Sequence, residues 1–305
     1  MSSDAPPPFG EWFLNLLEPA QLMAMAMSYY FQVCTEAVKS GQVLAPITQT
    51  SRLRDEAFGR FWIAFSTNRE EENSTATSAS NEPEEAELTG SSALIPPLLK
   101  TASGIVLDIG PGTGTQMPLL RSPAITAIYG AEPCIGLHKE LRAKALAEGL
   151  GSKYHVLHCG AASSELIPAL EATGTGVADA HNANGGGVFD TILCVRVLCS
   201  VPEMERTTRE LYSLLKPGGR LLVTEHVVNP WRTAKGSFGA RVAQAIYQLL
   251  GWSFFIGDCC MDRDTEGALR RAADGDGGWE SVQLERAFGW SPLPYISGVL
   301  VKRGG

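Results

Sequence analysis

Short apolar runs alternate with amphipathic segments from residue 104 to the end of the chain. Seven of these runs predict β-strands, at residues 105–109, 124–131, 154–158, 191–195, 220–224, 282–285 and 298–302. Segments 136–149 and 203–215 predict helices, and the Lys-Pro-Gly-Gly sequence after the second predicts a helix stop and a turn. Buried strands that alternate with helices form a parallel sheet covered on both faces. Because no helix separates the last two runs, we predict an α/β, doubly wound sheet of seven strands whose last pair is antiparallel.

The first 66 residues have helical rather than strand periodicity. Phe58, Phe61, Trp62 and Phe65 recur at intervals of three and four residues, which is typical of the apolar stripe of a helix. Residues 12–34 are rich in Leu, Met and aromatic side chains, but polar residues and a proline interrupt them, so they are a poor candidate for a membrane span. We predict an N-terminal helical lid over residues 1–66, with an interfacial position and ordinary packing both left open.

Negative charge is concentrated between this segment and the strands. Residues 70–90 carry seven Glu and no Lys or Arg, which predicts an acidic, disordered linker over residues 67–90 and a main domain over 91–305. The formal net charge is −8, but outside the acidic segment positive and negative residues nearly balance. Since no basic patch stands out, nucleic acid is not expected as a partner.

The seven cysteines are an odd number and contain no C-x-x-C pair. We therefore predict reduced cysteines, no disulfide framework and no metal site. No secretory signal pattern is evident at the N-terminus, so we expect a cytoplasmic protein, with peripheral membrane association left open. The patterns do not indicate an oligomeric state.

A glycine-rich turn follows the first predicted strand and carries the most information about function. Gly110, Gly112 and Gly114 follow an apolar run and precede a helical segment. Glycine permits positive φ and lets the backbone approach a ligand closely. Glu132 stands at the end of the second strand, where a carboxylate can accept hydrogen bonds from both hydroxyls of a ribose. The arrangement predicts a site for a cofactor that contains a nucleoside.

Charge at the strand end discriminates among such cofactors. Counted from Gly110, the dinucleotide fingerprint G-x-G-x-x-G requires a third glycine where Thr115 stands, so the fingerprint is not matched. Thr115 is a further candidate contact for the cofactor. The carboxylate of Asp108 would repel a pyrophosphate but attract an ammonium group. S-adenosylmethionine (SAM) carries an α-amino group, a sulfonium cation and no phosphate. The pattern therefore favours SAM over a nicotinamide dinucleotide.

Residues 104–302 resemble the class I SAM-dependent methyltransferases. The resemblance rests on VLDIGPGTGT, YGAEP and LKPGGRLLVTEH. It implies a Rossmann-like fold with SAM as cofactor. The cofactor contacts that it implies are Gly110, Gly112, Gly114 and Glu132, with Gly160 and Ala161 on the adenine side and Cys194 and Val195 beside the methionine portion.

The chain also resembles a more specific group, the thiol S-methyltransferases of the methyltransferase-like group, and this resemblance includes a segment before residue 104. It includes VRVLCSVPEMERTTRELYSLLKPGGRLLVTEHV, GDCCMDRDT and the upstream RDEAFGRFWIAFS. It implies an enzyme of the EC 2.1.1 class that methylates a small apolar acceptor, at a thiol sulfur or at a hydroxyl oxygen. Two alternatives stay open for the same fold: a rearrangement or cyclisation catalysed by the cofactor's positive charge, and a non-catalytic scaffold.

Three side chains near the predicted carboxyl ends of strands are candidates for catalysis. His226 follows the fifth strand and can accept a proton at neutral pH. Arg196 follows the fourth strand, where it can attract an anionic acceptor or assist a developing thiolate. Asp258 precedes Cys259 and can reach an acceptor pocket from a turn. Each also has a structural alternative, as a hydrogen-bonded histidine or an ion-paired side chain.

Overall fold

Seven strands form one mixed sheet in the computed structural model, which describes residues 7–78, 90–184 and 187–304. The strands are β1 (Gly104–Ile109), β2 (Ile125–Ala131), β3 (Tyr154–Leu157), β4 (Phe189–Val195), β5 (Leu215–His226), β6 (Ser281–Ala287) and β7 (Tyr295–Val301). Their order is β3-β2-β1-β4-β5-β7-β6. Strands β1 to β5 pair in parallel, and β7 is antiparallel to β5 and β6. The predicted doubly wound sheet with an antiparallel last pair is confirmed.

Apolar side chains on both faces explain the central position of β1. Leu107 and Ile109 belong to the hydrophobic core on one face of the sheet, and Val106 belongs to the core on the opposite face. Because successive side chains of a strand point to opposite faces, a strand covered on both sides needs a continuous apolar run. The strand order reverses between β1 and β4, and such a reversal leaves a crevice at the carboxyl ends of the strands.

The predicted Lys-Pro-Gly-Gly turn is a bulge within β5. Between Leu215 and Arg220, four residues lie opposite Asp190 alone in β4. Gly218 in this bulge has a φ of +74°, and Lys216 Nζ lies 2.8 Å from Asp190 Oδ2. The glycines therefore bend the strand without ending its pairing with β4.

Helices cover both faces of the sheet and form an N-terminal cap. They are α1 (Phe9–Lys39), α2 (Ala45–Thr48), α3 (Thr50–Ser78), α4 (Ile95–Leu99), α5 (His138–Ala147), α6 (Ser163–Glu171), α7 (Val177–Asn184), α8 (Met204–Leu214), α9 (Phe238–Leu249), α10 (Trp252–Phe255) and α11 (Thr265–Arg271), with 3-10 turns at Gly90–Leu94, Met117–Leu120, Ile135–Leu137 and Asp274–Asp276. Val33 of α1 packs with Leu53 and Ala57 of α3. Phe61 of α3 packs with Trp252 of α10. The N-terminal helical segment is thus observed, and its action as a lid stays a prediction.

Helix α3 extends past the predicted end of the cap at residue 66. It continues to Ser78 because neither glycine nor proline interrupts residues 60–82. The linker predicted from residue 67 therefore begins as helix, and residues 79–89 lie outside the described part of the chain.

The first turns of α1 expose apolar side chains. Phe9 is 78% exposed and Leu14 is 67% exposed. Among the described residues, no helix combines the length and the hydropathy that crossing a membrane would require.

Candidate active site

The glycine turn after β1 has the conformation that its sequence predicts. Gly110, Gly112 and Gly114 have φ values of +60°, +61° and +83°, which residues with a Cβ rarely adopt. A Cβ on Gly110 would lie 2.5 Å from Val197 Cγ2, and one on Gly112 would lie 2.5 Å from Trp62 Nε1. Only glycine can line this cradle, and helix α3 of the cap packs directly on it.

Glu132 joins this turn to the segment after β2. Its Oε2 accepts a hydrogen bond from Gly112 N at 2.9 Å, and its Oε1 accepts one from Cys134 N at 2.9 Å. Burial raises the pKa of Glu132, while the two backbone donors lower it. A carboxylate has about four acceptor positions. Glu132 therefore keeps acceptor capacity for the hydroxyls of a ribose.

Asp108 lies in β1 immediately before the turn and is buried. Tyr154 Oη donates a hydrogen bond to Asp108 Oδ2 at 2.8 Å. A Cβ on Gly130 would lie 2.5 Å from the Tyr154 hydroxyl oxygen, so a glycine in β2 makes room for the tyrosine to reach β1. Burial raises the pKa of Asp108 to about 6, against the lowering effect of the Tyr154 hydrogen bond. A neighbouring cation would favour the ionised form of this carboxyl group.

A cavity of about 210 Å³ lies beside the turn. Its lining is Trp62, Phe65, Ser66, Arg69, Ser92, Ile95, Pro96, Thr115, Gln116, Pro118, Leu119 and Arg196. The aromatic, aliphatic and proline side chains form an apolar wall, and the two arginines, the hydroxyls and the amide form a polar one. Two predicted site residues, Thr115 and Arg196, meet in this lining although they are 81 positions apart in the sequence.

The two arginines converge on the serines before α4. Arg196 Nη2 donates to Ser91 Oγ at 2.8 Å and to Ser92 Oγ at 3.2 Å. Arg69 Nη2 donates to Ser92 Oγ at 2.9 Å. The guanidinium of Arg196 also lies over the ring of Tyr295, 5.8 Å from its centroid. The cavity therefore has a positively charged end that suits a carboxylate or a thiolate.

Two buried polar atoms around the turn lack a hydrogen-bond partner in the described structure. They are Thr113 Oγ1, within the glycine turn, and Arg196 Nε, at the cavity. Buried polar atoms are nearly always hydrogen-bonded in folded proteins. These atoms, the glycine cradle and the two carboxyl groups fit a polar, cationic amino-acid nucleoside such as SAM.

Residues 85–277, more than half of the chain, match the family described as "Methyltransferase domain". The chain belongs to this methyltransferase family. The prediction of a class I SAM-dependent methyltransferase is thereby confirmed for the domain.

Named relatives match shorter stretches of this chain. The human thiol S-methyltransferase TMT1B is 32% identical over 120 residues, which are 38% of this chain and 45% of that protein. The human thiol S-methyltransferase TMT1A is 31% identical over 123 residues, 40% of this chain and 47% of that protein. The chain thus spans about half the length of these two relatives. Among solved structures, an O-methyltransferase family protein from Burkholderia thailandensis has a TM-score of 0.46 at 14% identity, covering 95% of this chain and 72% of that one.

The structure does not bring His226 and Asp258 into the lining of the cavity beside the glycine turn. The His226 imidazole is buried, with Nε2 3.1 Å from Cys259 Sγ. Asp258 accepts a hydrogen bond from Arg54 Nη2 at 2.6 Å, and 69% of its side chain is exposed. This ion pair joins α3 to the turn after α10. A direct catalytic role for either residue stays a prediction.

The remaining predicted cofactor contacts lie near the carboxyl edge of the sheet. Gly160 N donates to Glu165 Oε2 at 2.8 Å, and Ala161 is buried. The Cys194 side chain belongs to the hydrophobic core, so only its backbone is available to a ligand. Val195 is half-buried at the end of β4. Their contacts with the cofactor stay predictions.

Glu225 is a site residue whose role the sequence did not reveal. Its Oε1 accepts hydrogen bonds from Val197 N at 2.8 Å and Leu198 N at 3.0 Å. Burial raises its pKa to about 7, against the lowering effect of these two donors. The carboxyl group holds the loop that carries Arg196 and Val197 to the glycine turn. An acidic residue within the apolar run of β5 was the available signal.

Proposed function

We propose that the domain transfers the methyl group of SAM to the sulfur of a small, largely apolar thiol. The observation that carries this proposal is the cavity of about 210 Å³ between Thr115, at the glycine turn, and Arg196, after β4. Its size suits a single substituted ring, since a cavity of about 150 Å³ can hold benzene. The thiol S-methyltransferases TMT1B and TMT1A support sulfur as the acceptor atom.

The chain's own residues bind and orient the cofactor in this proposal. When bound, SAM supplies an electrophilic methyl group on a sulfonium. Glu132, held by Gly112 N and Cys134 N, accepts hydrogen bonds from the ribose. Asp108, whose pKa burial raises to about 6, holds the amino group by charge. Both carboxyl groups are buried, so their interactions with a ligand are weakly screened by water.

The acceptor half of the cavity orients the thiol and favours its ionised form. The side chains of Trp62, Phe65 and Ile95 form the apolar wall against which a ring packs. The Arg196 guanidinium stabilises a thiolate, because an adjacent cation lowers the pKa of a thiol. A free thiol with a pKa near 8.5 is already a few per cent ionised at neutral pH. Its proton passes to solvent before transfer, so the cavity needs no general base for sulfur.

An assay with matched acceptors tests the proposal. The full chain is incubated with methyl-labelled SAM and with thiophenol, phenol or aniline, which share a ring and differ in the acceptor atom. We expect label in the thiophenol product, which mass spectrometry finds heavier by one methylene. Absence of labelled product from a range of thiols would contradict the proposal. Binding of SAM without any methylated product would instead favour the rearrangement, cyclisation or scaffold alternatives.

The glycine turn offers a separate test of the cofactor site with a matched control. Gly112→Ala places a Cβ 2.5 Å from Trp62 Nε1 at a φ of +61°. Gly149→Ala imposes similar strain, at a φ of +72°, but has no atom within 4 Å of its Cβ. Calorimetry with S-adenosylhomocysteine should show at least about tenfold weaker binding for Gly112→Ala only. Equal affinity of the two variants would locate the cofactor elsewhere.

A further inference from the structure

Two cysteines and a histidine from distant segments meet at the carboxyl end of β5. Cys199 lies in the loop after β4, His226 ends β5, and Cys259 follows α10. All three residues are buried. Their sulfur and imidazole nitrogen atoms lie within 4.8 Å of one another. This Cys2His cluster, defined by these three residues, is separate from the lining of the cavity described above.

Hydrogen bonds to main-chain oxygens hold the two cysteine segments of the Cys2His cluster together. Cys260 N donates a hydrogen bond to Cys199 O at 2.9 Å. Arg263 Nη1 donates to Leu198 O at 2.9 Å and to Val201 O at 2.5 Å. The positions of the sulfur atoms are therefore set by the backbone around them, which makes the cluster preorganised for a ligand.

The side chains of the cluster present soft donor atoms to one another. His226 Nε2 lies 3.1 Å from Cys259 Sγ, and Trp252 Nε1 donates to the same sulfur at 3.3 Å. The other imidazole nitrogen, His226 Nδ1, is buried and has no hydrogen-bond partner among the described residues. Two sulfurs and an imidazole with an unpartnered nitrogen are an unusual set of groups to bury without a ligand.

We propose that the Cys2His cluster binds Zn²⁺ through both sulfurs and one imidazole nitrogen of His226. Zinc prefers sulfur at about 2.3 Å and nitrogen at about 2.1 Å in tetrahedral geometry, which separates its ligand atoms by about 3.6–3.8 Å. This spacing lies within the 4.8 Å that encloses the ligand atoms here. Both thiols lose their protons on binding, so two protons are released per ion.

Three protein ligands leave one position of the tetrahedron for water or another small ligand. The proposed methyl transfer does not use this ion, so the two proposals stand or fail separately. The competing states of the cluster are a Cys199–Cys259 disulfide and a metal-free pair of thiols.

Metal analysis and cobalt substitution test the zinc site. The full chain is purified with a reducing agent and without a metal-affinity step, and its zinc content is measured by mass spectrometry. The chelator-treated protein is then titrated with Co²⁺. We expect about one ion per chain, with thiolate-to-cobalt absorption in the near ultraviolet and the visible bands of tetrahedral Co²⁺. Cys199→Ser, Cys259→Ser and His226→Asn should each weaken Co²⁺ binding at least about tenfold.

Cys260→Ser is the matched control, because Cys260 adjoins Cys259 but directs its Sγ to Asp258 O at 3.5 Å. It should bind Co²⁺ like the wild type, and circular dichroism reports whether each variant folds. A folded wild type without the cobalt absorption, or equal losses in Cys260→Ser and Cys259→Ser, would overturn the proposal. A Cys199–Cys259 disulfide in the reduced preparation would also overturn it. If the ligand variants do not fold, the wild-type spectrum decides, because its charge-transfer intensity reports the number of thiolate ligands.

Discussion

The Asp108→Asn substitution removes a negative charge from a buried position at the end of β1. The amide keeps an oxygen that can accept the hydrogen bond from Tyr154 Oη, now 2.8 Å from Asp108 Oδ2. The variant therefore changes charge with little change of shape. It tests whether this carboxyl group is destabilising in the free protein and is retained for a cationic ligand.

The magnitude follows from the pKa of Asp108, which burial raises from 3.8 to about 6. At about 1.4 kcal/mol per pH unit, ionisation of this buried group costs about 3 kcal/mol of folding stability. Because the pKa of Asp108 is higher in the folded than in the unfolded state, the protonated carboxyl group makes the fold more stable than the ionised one does. This extra stability is fully present below about pH 4 and is lost as pH rises through 6. About half of the 3 kcal/mol is lost between about pH 5 and pH 8.

Urea unfolding followed by tryptophan fluorescence measures this difference. At about pH 8 we expect the variant to exceed the wild type in unfolding free energy by about 3 kcal/mol, and at about pH 5 by about half of that. S-adenosylhomocysteine should bind the variant about tenfold more weakly at pH 8, because the charge for its amino group is gone. Asp276→Asn is the matched control, since exposed Asp276 accepts a hydrogen bond from Tyr212 Oη at 2.6 Å. A stability difference that stays constant between the two pH values would refute the reasoning.

Four other substitutions test neighbouring contacts. Glu132→Gln should weaken S-adenosylhomocysteine binding about tenfold in calorimetry, and unchanged affinity would contradict its role at the ribose. Trp62→Ala removes the indole packed on the glycine turn, so urea unfolding should show an unfolding free energy lower by about 2–3 kcal/mol. The KM of the acceptor should also rise. A decrease in unfolding free energy below about 1 kcal/mol would contradict this packing. Arg54→Gln and Asp258→Asn should each lose less than about 1 kcal/mol, because most of the Asp258 side chain is exposed. Their double variant should lose no more than either alone, and additive losses would show that the two side chains act independently.

The alternation of strands and helices and the parallel direction of the central strands followed from local patterns. An apolar run, three glycines and an acidic residue at the end of the next strand lie within 28 residues, from Ile105 to Glu132. Parallel neighbours with a crossover between them bring these residues together with little freedom. The hydrogen bond from Gly112 N to Glu132 Oε2, 2.9 Å long, shows how directly this spacing becomes contact.

Other side-chain contacts depended on how separate segments pack together, which the periodicity of the sequence does not predict. Arg69 reaches the cavity only because α3 continues as helix beyond residue 66, where an acidic composition predicted a linker. Asp258 was one candidate for the acceptor pocket, and in the structure it pairs with Arg54 of the cap. Neither contact has a signal in sequence spacing, since each joins surfaces of separate elements.

The sequence by itself determined the sheet, the glycine cradle with Asp108 and Glu132 beside it, and the membership of the methyltransferase family. These depend on strand alternation and on residues close together along the chain, for which backbone geometry leaves few arrangements. Only the tertiary structure decided which side chains share a cavity and that Cys199, His226 and Cys259 meet. Such convergence results from the close packing of distant segments, where the position of each side chain depends on all of its neighbours.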